Sequence, residues 1–368
     1  MSSRVYLDWN ATTPPLSEVV AAMADAARSA WGNPSSVHAV GRAARDLVET
    51  AREAVAALVG AEPRDVVLTS GGTEANNLAL HCAPALVTSQ LEHPSVTRVA
   101  EALEAAGRPV RWLPVPASGR LEAAAVAEAL AQLPSSTGAV VAVAVANHET
   151  GVIQPLTEIA TLTHAVGARL HVDAVQAIGK LRIETLLGAD TLTLAAHKIR
   201  GPKGIGALVH RPDRAPLPLL MGGSQERGRR PGTLDPVAAA GFWVAAEWAR
   251  DGLDKRSALL DLRDRLERQL VSAGALVNGE TANRLSHVSN LSFPGRAGDE
   301  LVAALDLLGV AVSSGSACSA GTTEPSKIIT AMLGLERARS AVRISLGDAT
   351  TGRDIDLALE AFAHVLRT

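Results

Sequence analysis

The sequence predicts an α/β protein: a mostly parallel sheet covered by helices on both faces, followed by a smaller α+β domain. Three observations carry that expectation. Short apolar runs rich in β-branched residues recur along most of the 368 residues. Segments with apolar residues at helical spacing lie between several of them. After about residue 250 the character changes to a charged amphipathic helix followed by isolated strand signals.

Taken in order, LSEVVAAMADAARSAW (16–31) and GRAARDLVETAREAVAALVG (41–60) are helical, and Gly60 suits a helix stop. DVVLTS (65–70), ALVTSQ (85–90), AVVAVAVAN (139–147), ARLHVDAV (168–175) and TLTLAAH (191–197) read as buried strands. HPSVTRVAEALEAAG (93–107) and LTEIATLTHAVG (156–167) read as covering helices. Beyond them, DKRSALLDLRDRLERQLVSAG (254–274) is an amphipathic helix and HVSNLSFPG (287–295) a strand. Ligands of such sheets collect at the carboxyl ends of the strands.

Hydrophobic residues make up 47% and charged residues 20%, as in a soluble globular protein, and the formal net charge of −3 points to neither nucleic acid nor an acidic membrane. The start, MSSRVYLDWN, has no basic stretch leading into an apolar one, and no apolar run approaches the roughly 20 residues of a membrane span. Two cysteines build no disulfide framework, which fits a reducing, cytoplasmic setting. No Cys/His cluster has zinc-ligand spacing, so no metal is expected.

The polar residues at the predicted strand ends carry the chemistry. TSGGTEANNLAL (69–80) leaves a strand and opens a helix. Gly71 and Gly72 permit close backbone approach, and the helix amides with the Thr73 hydroxyl suit a phosphate, although a plain Gly-Thr helix cap has the same look. Asp173 ends an apolar strand, with Gln176 three residues on, and reads either as a helix cap or as the partner of a cation. Lys198 follows His197 at another strand end, ahead of a Gly/Pro-rich turn. A surface lysine is the ordinary reading, whereas a lysine at the ligand-binding edge beside an Asp fits a Schiff base and its pyridinium partner. His93 stands at a strand-to-helix junction, where an imidazole can stack on a flat ring, and Asn147 ends a further strand. Cys318 lies in SSGSACSAG (313–321), where no bulky side chain covers its sulfur. Cys82, at the end of an apolar helix, reads as core packing.

Assembled in order, these stretches resemble the pyridoxal-phosphate cysteine desulfurases of the NifS/IscS type. The resemblance runs through YLDWNATTP, WGNPSSVHAVGR, SGGTEANNLAL, EHPSV, NHETGVIQPL, HVDAVQAIGK, HKIRGPKGIGAL, GGSQERGRRPGTLD, SSGSACSAG and AVRISLG, nearly end to end. It implies the fold-type I architecture of these transferases, with a seven-stranded sheet in a large cofactor-binding domain over 15–250. A small domain of 1–14 with 251–368 would carry the cysteine loop.

The resemblance also implies roles. Lys198 forms the Schiff base with pyridoxal 5′-phosphate, Asp173 pairs with the pyridine nitrogen, and His93 stacks on the ring. Asn147 and Gln176 contact its phenolic oxygen region, while Gly72, Thr73 and His197 hold the phosphate. Thr233 reaches the phosphate of a neighbouring subunit, implying a homodimer. Arg343, with help from Asn33 and Asn147, binds the carboxylate of L-cysteine, as a guanidinium's paired donors allow. Cys318 accepts the sulfur as a persulfide and passes it to an acceptor protein for iron–sulfur cluster or thio-cofactor synthesis. The SGSAC form with a long following segment resembles the long-loop class.

Two departures accompany the match. Ala195 stands where the family usually has a Ser or Thr two residues before the histidine of HK, so one phosphate hydroxyl is missing unless Thr193 compensates. Longer relatives carry a C-terminal extension beyond the equivalent of Thr368 that helps dock a scaffold, which leaves the acceptor open. Two other readings keep the fold: a selenocysteine lyase or aminotransferase with the same cofactor, and a non-catalytic sulfur carrier or scaffold.

Overall fold

The computed structural model describes residues 4–182, 186, 188–252, 259–279, 283–315 and 324–367. Its strands are β1 (Val5–Tyr6), β2 (Val66–Thr69), β3 (Leu86–Ser89), β4 (Val110–Leu113), β5 (Val140–Ala144), β6 (Arg169–Asp173), β7 (Thr191–Ala195), β8 (Gly206–His210), β9 (Leu276–Val277), β10 (Val288–Ser292), β11 (Val310–Ala311) and β12 (Ala341–Ser345). The helices are α1 (Ser17–Ser29), α2 (Ala39–Val59), α3 (Gly72–Leu80), α4 (Pro94–Ala105), α5 (Ala123–Ala131), α6 (Leu156–Ala165), α7 (Pro236–Asp251), α8 (Leu259–Ser272), α9 (Gly298–Leu307), α10 (Lys327–Leu333), α11 (Leu335–Arg339) and α12 (Gly352–Arg367).

A seven-stranded sheet in the order β2-β8-β7-β6-β5-β3-β4 organises the larger part. The pairs β4–β3, β3–β5, β5–β6 and β6–β7 are parallel, and β8 runs opposite to both β7 and β2. Helices cover both faces, so β2 and β3 are buried at every residue, and β2 is almost wholly apolar rather than alternating. In α2 the small and branched residues Ala44, Val48, Ala51 and Val55 fall on one stripe against the core, and Gly60 ends the helix in the left-handed region, with φ 66°.

The later residues form a three-stranded antiparallel sheet, β12-β10-β9, and a parallel β1–β11 pair. Leu266, Leu291, Ile344 and Phe362 belong to one hydrophobic cluster with Val5 and Leu7 of the N-terminal strand region. Ile328, Ile329 and Met332 of α10 instead join the cluster beneath the large sheet. Val312 thus belongs to the smaller core and Ile328 to the larger one. No described helix is long and apolar enough to cross a membrane.

Cys82 departs from its expected place in the core. Its residue is exposed, because α3 ends at Leu80 and the chain turns outward before β3. Leu80 and Ala83 on either side supply the burial instead.

Candidate active site

Because β2, β3, β5, β6 and β7 all point the same way, their carboxyl ends share one edge of the sheet. A cavity of about 260 Å3 opens there, lined by Gly72, Thr73, His93, Asp173, Gln176, Ala195, His197, Lys198, His148 and Arg343 among others. The structure thus gathers most of the side chains singled out by position in the sequence. Three lie elsewhere. Asn33 and Thr233 are exposed and are not among the lining residues, and Asn147 turns away from the cavity. Cys318 lies outside the described residues, but Gly315, three positions before it, forms part of the wall.

Asp173 closes β6, and its carboxylate is fixed from two directions. Asn76 Nδ2 donates to Oδ2 at 2.8 Å, and the Val175 N–H donates to Oδ1 at 3.0 Å. Asn76 is itself held through its Oδ1, 3.0 Å from His171 Nε2. Burial pushes the His171 pKa down to about 4, so the ring stays neutral beside the carboxylate.

Lys198 ends a short 3-10 turn, Ala196–Lys198, that follows β7 directly. Its Nζ donates to the carbonyl oxygens of Asn10 and, at 2.9 Å, Ala11, so the N-terminal segment forms one wall of the cavity. Gln176 Nε2 donates to the same Asn10 carbonyl at 3.1 Å, while its Oε1 accepts from Lys180 Nζ. His197, beside the lysine, is neutral: burial and then the charge of Lys198 lower its pKa to about 4, and its Nδ1 lies 3.1 Å from Thr12 Oγ1.

His93 caps α4, accepting the Ser95 N–H on Nδ1 at 3.1 Å. With that nitrogen accepting, the neutral ring carries its proton on Nε2. Desolvation lowers the His93 pKa against the opposing pull of Asp173. Gly72 and Thr73 begin α3, and the preceding Gly71 has φ 148°. Gly206 of β8 passes so close that a Cβ there would meet the Gly71 backbone at 2.8 Å. Gly72 and Thr73, the first residues of α3, both line the cavity. Ala195 is in the wall as expected, whereas Thr193 is fully buried and does not line the cavity.

Arg343 comes from β12. Its Nη2 donates to Asp8 Oδ1 at 2.7 Å and its Nη1 to the His148 carbonyl at 3.1 Å, while the buried Nε has no partner among the described residues. Its main chain pairs with Ser313 in both directions, at 2.6 and 3.1 Å. The chain leading to Cys318 thus departs from beside this guanidinium.

Sequence reasoning missed His148 and chose its neighbour. Asn147 Oδ1 accepts from the N–H groups of Glu149 and Thr150, both at 2.9 Å, and Nδ2 donates to Leu91 O at 2.8 Å. Spending the carboxamide on its own loop turns the next side chain into the cavity, where the His148 ring meets His93 with centroids 5.4 Å apart at 70°. Asn10, Ala11 and Asn76 were also missed, since they act through main-chain carbonyls or behind Asp173.

The donor set fits pyridoxal phosphate. An amine and a carboxylate stand at the ends of adjacent strands, and the start of α3 lines the same cavity, as does a buried guanidinium whose Nε has no partner among the described residues.

This chain is 40% identical to cysteine desulfurase 2 of Trichormus variabilis, with 99% of this chain and 93% of that protein covered. It is also 40% identical to an IscS-like cysteine desulfurase of Mycobacterium tuberculosis, with 96% and 94% covered. A solved NifS-like protein from Rickettsia africae superposes with a TM-score of 0.89 at 30% identity, over 99% of this chain and 100% of the other. The aminotransferase class-V profile matches residues 5–358, and the chain belongs to that family.

Proposed function

We propose that the protein is a pyridoxal-phosphate-dependent cysteine desulfurase, converting L-cysteine to L-alanine and passing the sulfur through a Cys318 persulfide to an acceptor protein. The observation that carries this reading is the meeting of Lys198, Asp173, His93 and Arg343 around one cavity whose wall continues into the chain leading to Cys318. The near full-length similarity to proteins named cysteine desulfurase supports it.

Bound at this site, pyridoxal phosphate supplies an aldehyde for an amine and a ring that draws electrons from an amino acid's α-carbon. Lys198 would provide the amine and move protons at that carbon, and His93 would help to hold the ring. Asp173 keeps the ring nitrogen protonated, and its hydrogen bonds from Asn76 and Val175 hold it in place. Gly72, Thr73 and His197 would hold the phosphate, and Gln176 would serve the phenolic oxygen. Arg343 orients the substrate carboxylate with donors in a fixed plane. The Cys318 thiolate attacks the substrate sulfur, forming an S–S bond as the carbon–sulfur bond breaks. The released electron pair stays on carbon, which takes up a proton and becomes the methyl group of alanine.

A second copy completes the site in this reading. Thr233 and Asn33 are exposed in the isolated chain, as are the large apolar side chains of Trp31, Val37, Leu217, Leu220 and Met221, which a partner subunit would cover. A reducing, cytoplasmic setting suits the chemistry, since the acceptor must return Cys318 to a thiol.

Two variants test the assignment. Lys198→Ala should abolish the visible band of the cofactor-loaded protein. Cys318→Ser should retain that band yet form no persulfide and lose alanine production. An aminotransferase would be indifferent to the second change, and a colourless wild-type protein would show a carrier or scaffold instead.

A further inference from the structure

Ile199 packs in the hydrophobic cluster beneath the large sheet, and Leu346 in the smaller cluster. Just beyond each of them the two cores are tied together, because Arg200 Nη1 donates to Asp348 Oδ2 at 2.5 Å. The guanidinium carbon lies 5.2 Å from the ring centroid of Trp9 and 5.8 Å from that of Trp248 on α7, and Nε donates to Pro14 O at 2.6 Å. Trp9 in turn packs directly on the main chain beside Asp348, since a Cβ on Gly347 would meet its ring at 1.9 Å. Arg200 itself has φ 68°, in the left-handed region that a residue with a side chain keeps only when its surroundings hold it there. Its N–H donates to Thr13 Oγ1 at 2.9 Å, and its carbonyl accepts the Leu16 N–H at 3.0 Å. Exposed ion pairs contribute little, but this arginine side chain is only 13% exposed and is held by two indoles, a carbonyl and a carboxylate together.

A small cavity of about 40 Å3 lies beside the pair, lined by Lys198, Arg200, Trp248, His287 and Asp348 among others. Lys198 also lines the larger cavity at the strand ends, whereas Arg200 and Asp348 do not. Along the chain, Arg200 follows Lys198 by two residues and Asp348 follows Arg343 by five. Lys198 directly precedes Ile199 of the larger core, while Arg343 lies on β12 between Val342 and Ile344 of the smaller one. In the proposed reaction an amino acid brings its amine to the group that Lys198 holds and its carboxylate to Arg343. Both substituents sit on one carbon, so their separation is fixed, and binding depends on how far apart the two cores hold these side chains. Asp173, Gly72, Thr73 and His197 all belong to the large sheet or the elements that follow its strands, so the cofactor does not depend on that spacing.

We infer that Arg200 and Asp348 are positioning residues: their ion pair, with the guanidinium set against Trp9 and Trp248, latches the two cores together and fixes the spacing of Lys198 and Arg343. The inference rests on the proposed reading of the site, and it assigns to a contact outside the ligand cavity a part in amino-acid binding. Without the latch the larger core still holds the cofactor, but the amino acid has to draw the two cores together as it binds, which weakens its affinity.

The test measures two equilibria through the visible band, in a Cys318→Ser background where L-cysteine binds without passing on its sulfur. One is the affinity for the cofactor, and the other is the apparent dissociation constant of L-cysteine for the loaded protein. Asp348→Ala should leave the first unchanged and weaken the second by about threefold to tenfold, the coupling of one partly shielded pair. Asp348→Glu, which keeps the charge, should recover part of the loss. Arg200→Ala should weaken L-cysteine binding as well, and adding Asp348→Ala to it should cost nothing more, because the pair is already broken. Unchanged L-cysteine affinity in Asp348→Ala, with a normal band, would overturn the latch alone. So would equal losses of cofactor and L-cysteine affinity, since the pair would then support the fold in general, or additive losses in the double variant. A wild-type protein with no visible band would overturn the desulfurase reading, and this role with it.

Discussion

Asn76 donates through Nδ2 to Asp173 Oδ2 at 2.8 Å, joining the first helix after β2 to the end of β6 across 97 residues of sequence. The same Nδ2 donates to Ser95 Oγ, which lies 2.8 Å from His93 Nδ1, so one buried amide orients both the carboxylate and the ring proposed to hold the cofactor. Removing it with Asn76→Ala takes away a hydrogen bond to a charged group, worth about 1.5–3 kcal/mol. Cofactor affinity, measured by absorbance titration, should fall by roughly tenfold to a hundredfold. Unchanged affinity would mean that Asp173 is held by Val175 alone.

Arg52 and Glu226 form a two-pronged ion pair, at 2.6 and 2.7 Å, with side chains 3% and 1% exposed. Glu226 also accepts the Leu68 N–H, and Arg52 donates to Val66 O, so the pair clamps the segment leading to Thr233 onto β2. The clamp holds Glu226 and Arg227 at φ 50° and 55°, a region that non-glycine residues occupy only when their surroundings enforce it. Arg52→Ala leaves a buried carboxylate uncompensated and should cost about 3–5 kcal/mol of stability, read from the urea midpoint. A loss below about 1 kcal/mol would place the pair among weak surface bridges.

Glu92 is fully buried, and desolvation followed by the charge of Asp173 raises its pKa to about 8. Below the ordinary carboxylate range both folded and unfolded chains hold this proton. Between about pH 5 and pH 8 the unfolded chain has released it while the folded chain keeps it, so stability falls by about 1.4 kcal/mol per pH unit from this group. Glu92→Gln keeps an acceptor for the Ala144 N–H and lacks the titration. Its stability should decline less than that of the wild type over this interval, as measured by denaturant unfolding at several pH values. Parallel curves would show that Glu92 is already ionised in the folded protein.

Cys82 is exposed, outside both cavities described above. A thiol reagent should label it in the folded protein at the rate of an ordinary accessible cysteine. Cys82→Ser should leave persulfide formation at its wild-type level. Loss of persulfide in that variant would give this thiol a part in the sulfur path.

The parts of the fold legible in the sequence are those whose burial is complete. β2 and β5 are almost wholly apolar because helices cover both faces of the sheet, and β6 and β7 keep apolar residues at every second position and are buried along all but their first residue. β4 carries Arg111 at the sheet edge and has only its two end residues buried, so it lacks such a run. β8 is fully buried but emerges from a glycine-rich turn that masks its start. α5 is mostly alanine, which gives little contrast between its faces.

At the site, Asp173 and Lys198 were legible because strand ends in such a sheet converge on one edge. His148 was not, since the choice between it and Asn147 rests on a carboxamide satisfying its own loop, and that is decided by three-dimensional hydrogen bonding rather than by residue type. Asn76 was hidden for a related reason: its partner lies on a distant strand, with no local pattern to mark the contact.

The most direct measurement is mass spectrometry of the cofactor-loaded protein after L-cysteine is added without any acceptor, with alanine quantified in the same samples. One extra sulfur should appear on the peptide containing Cys318, mole for mole with the first alanine released. Alanine formed while Cys318 stays unmodified would contradict the transfer step on which the proposed function depends.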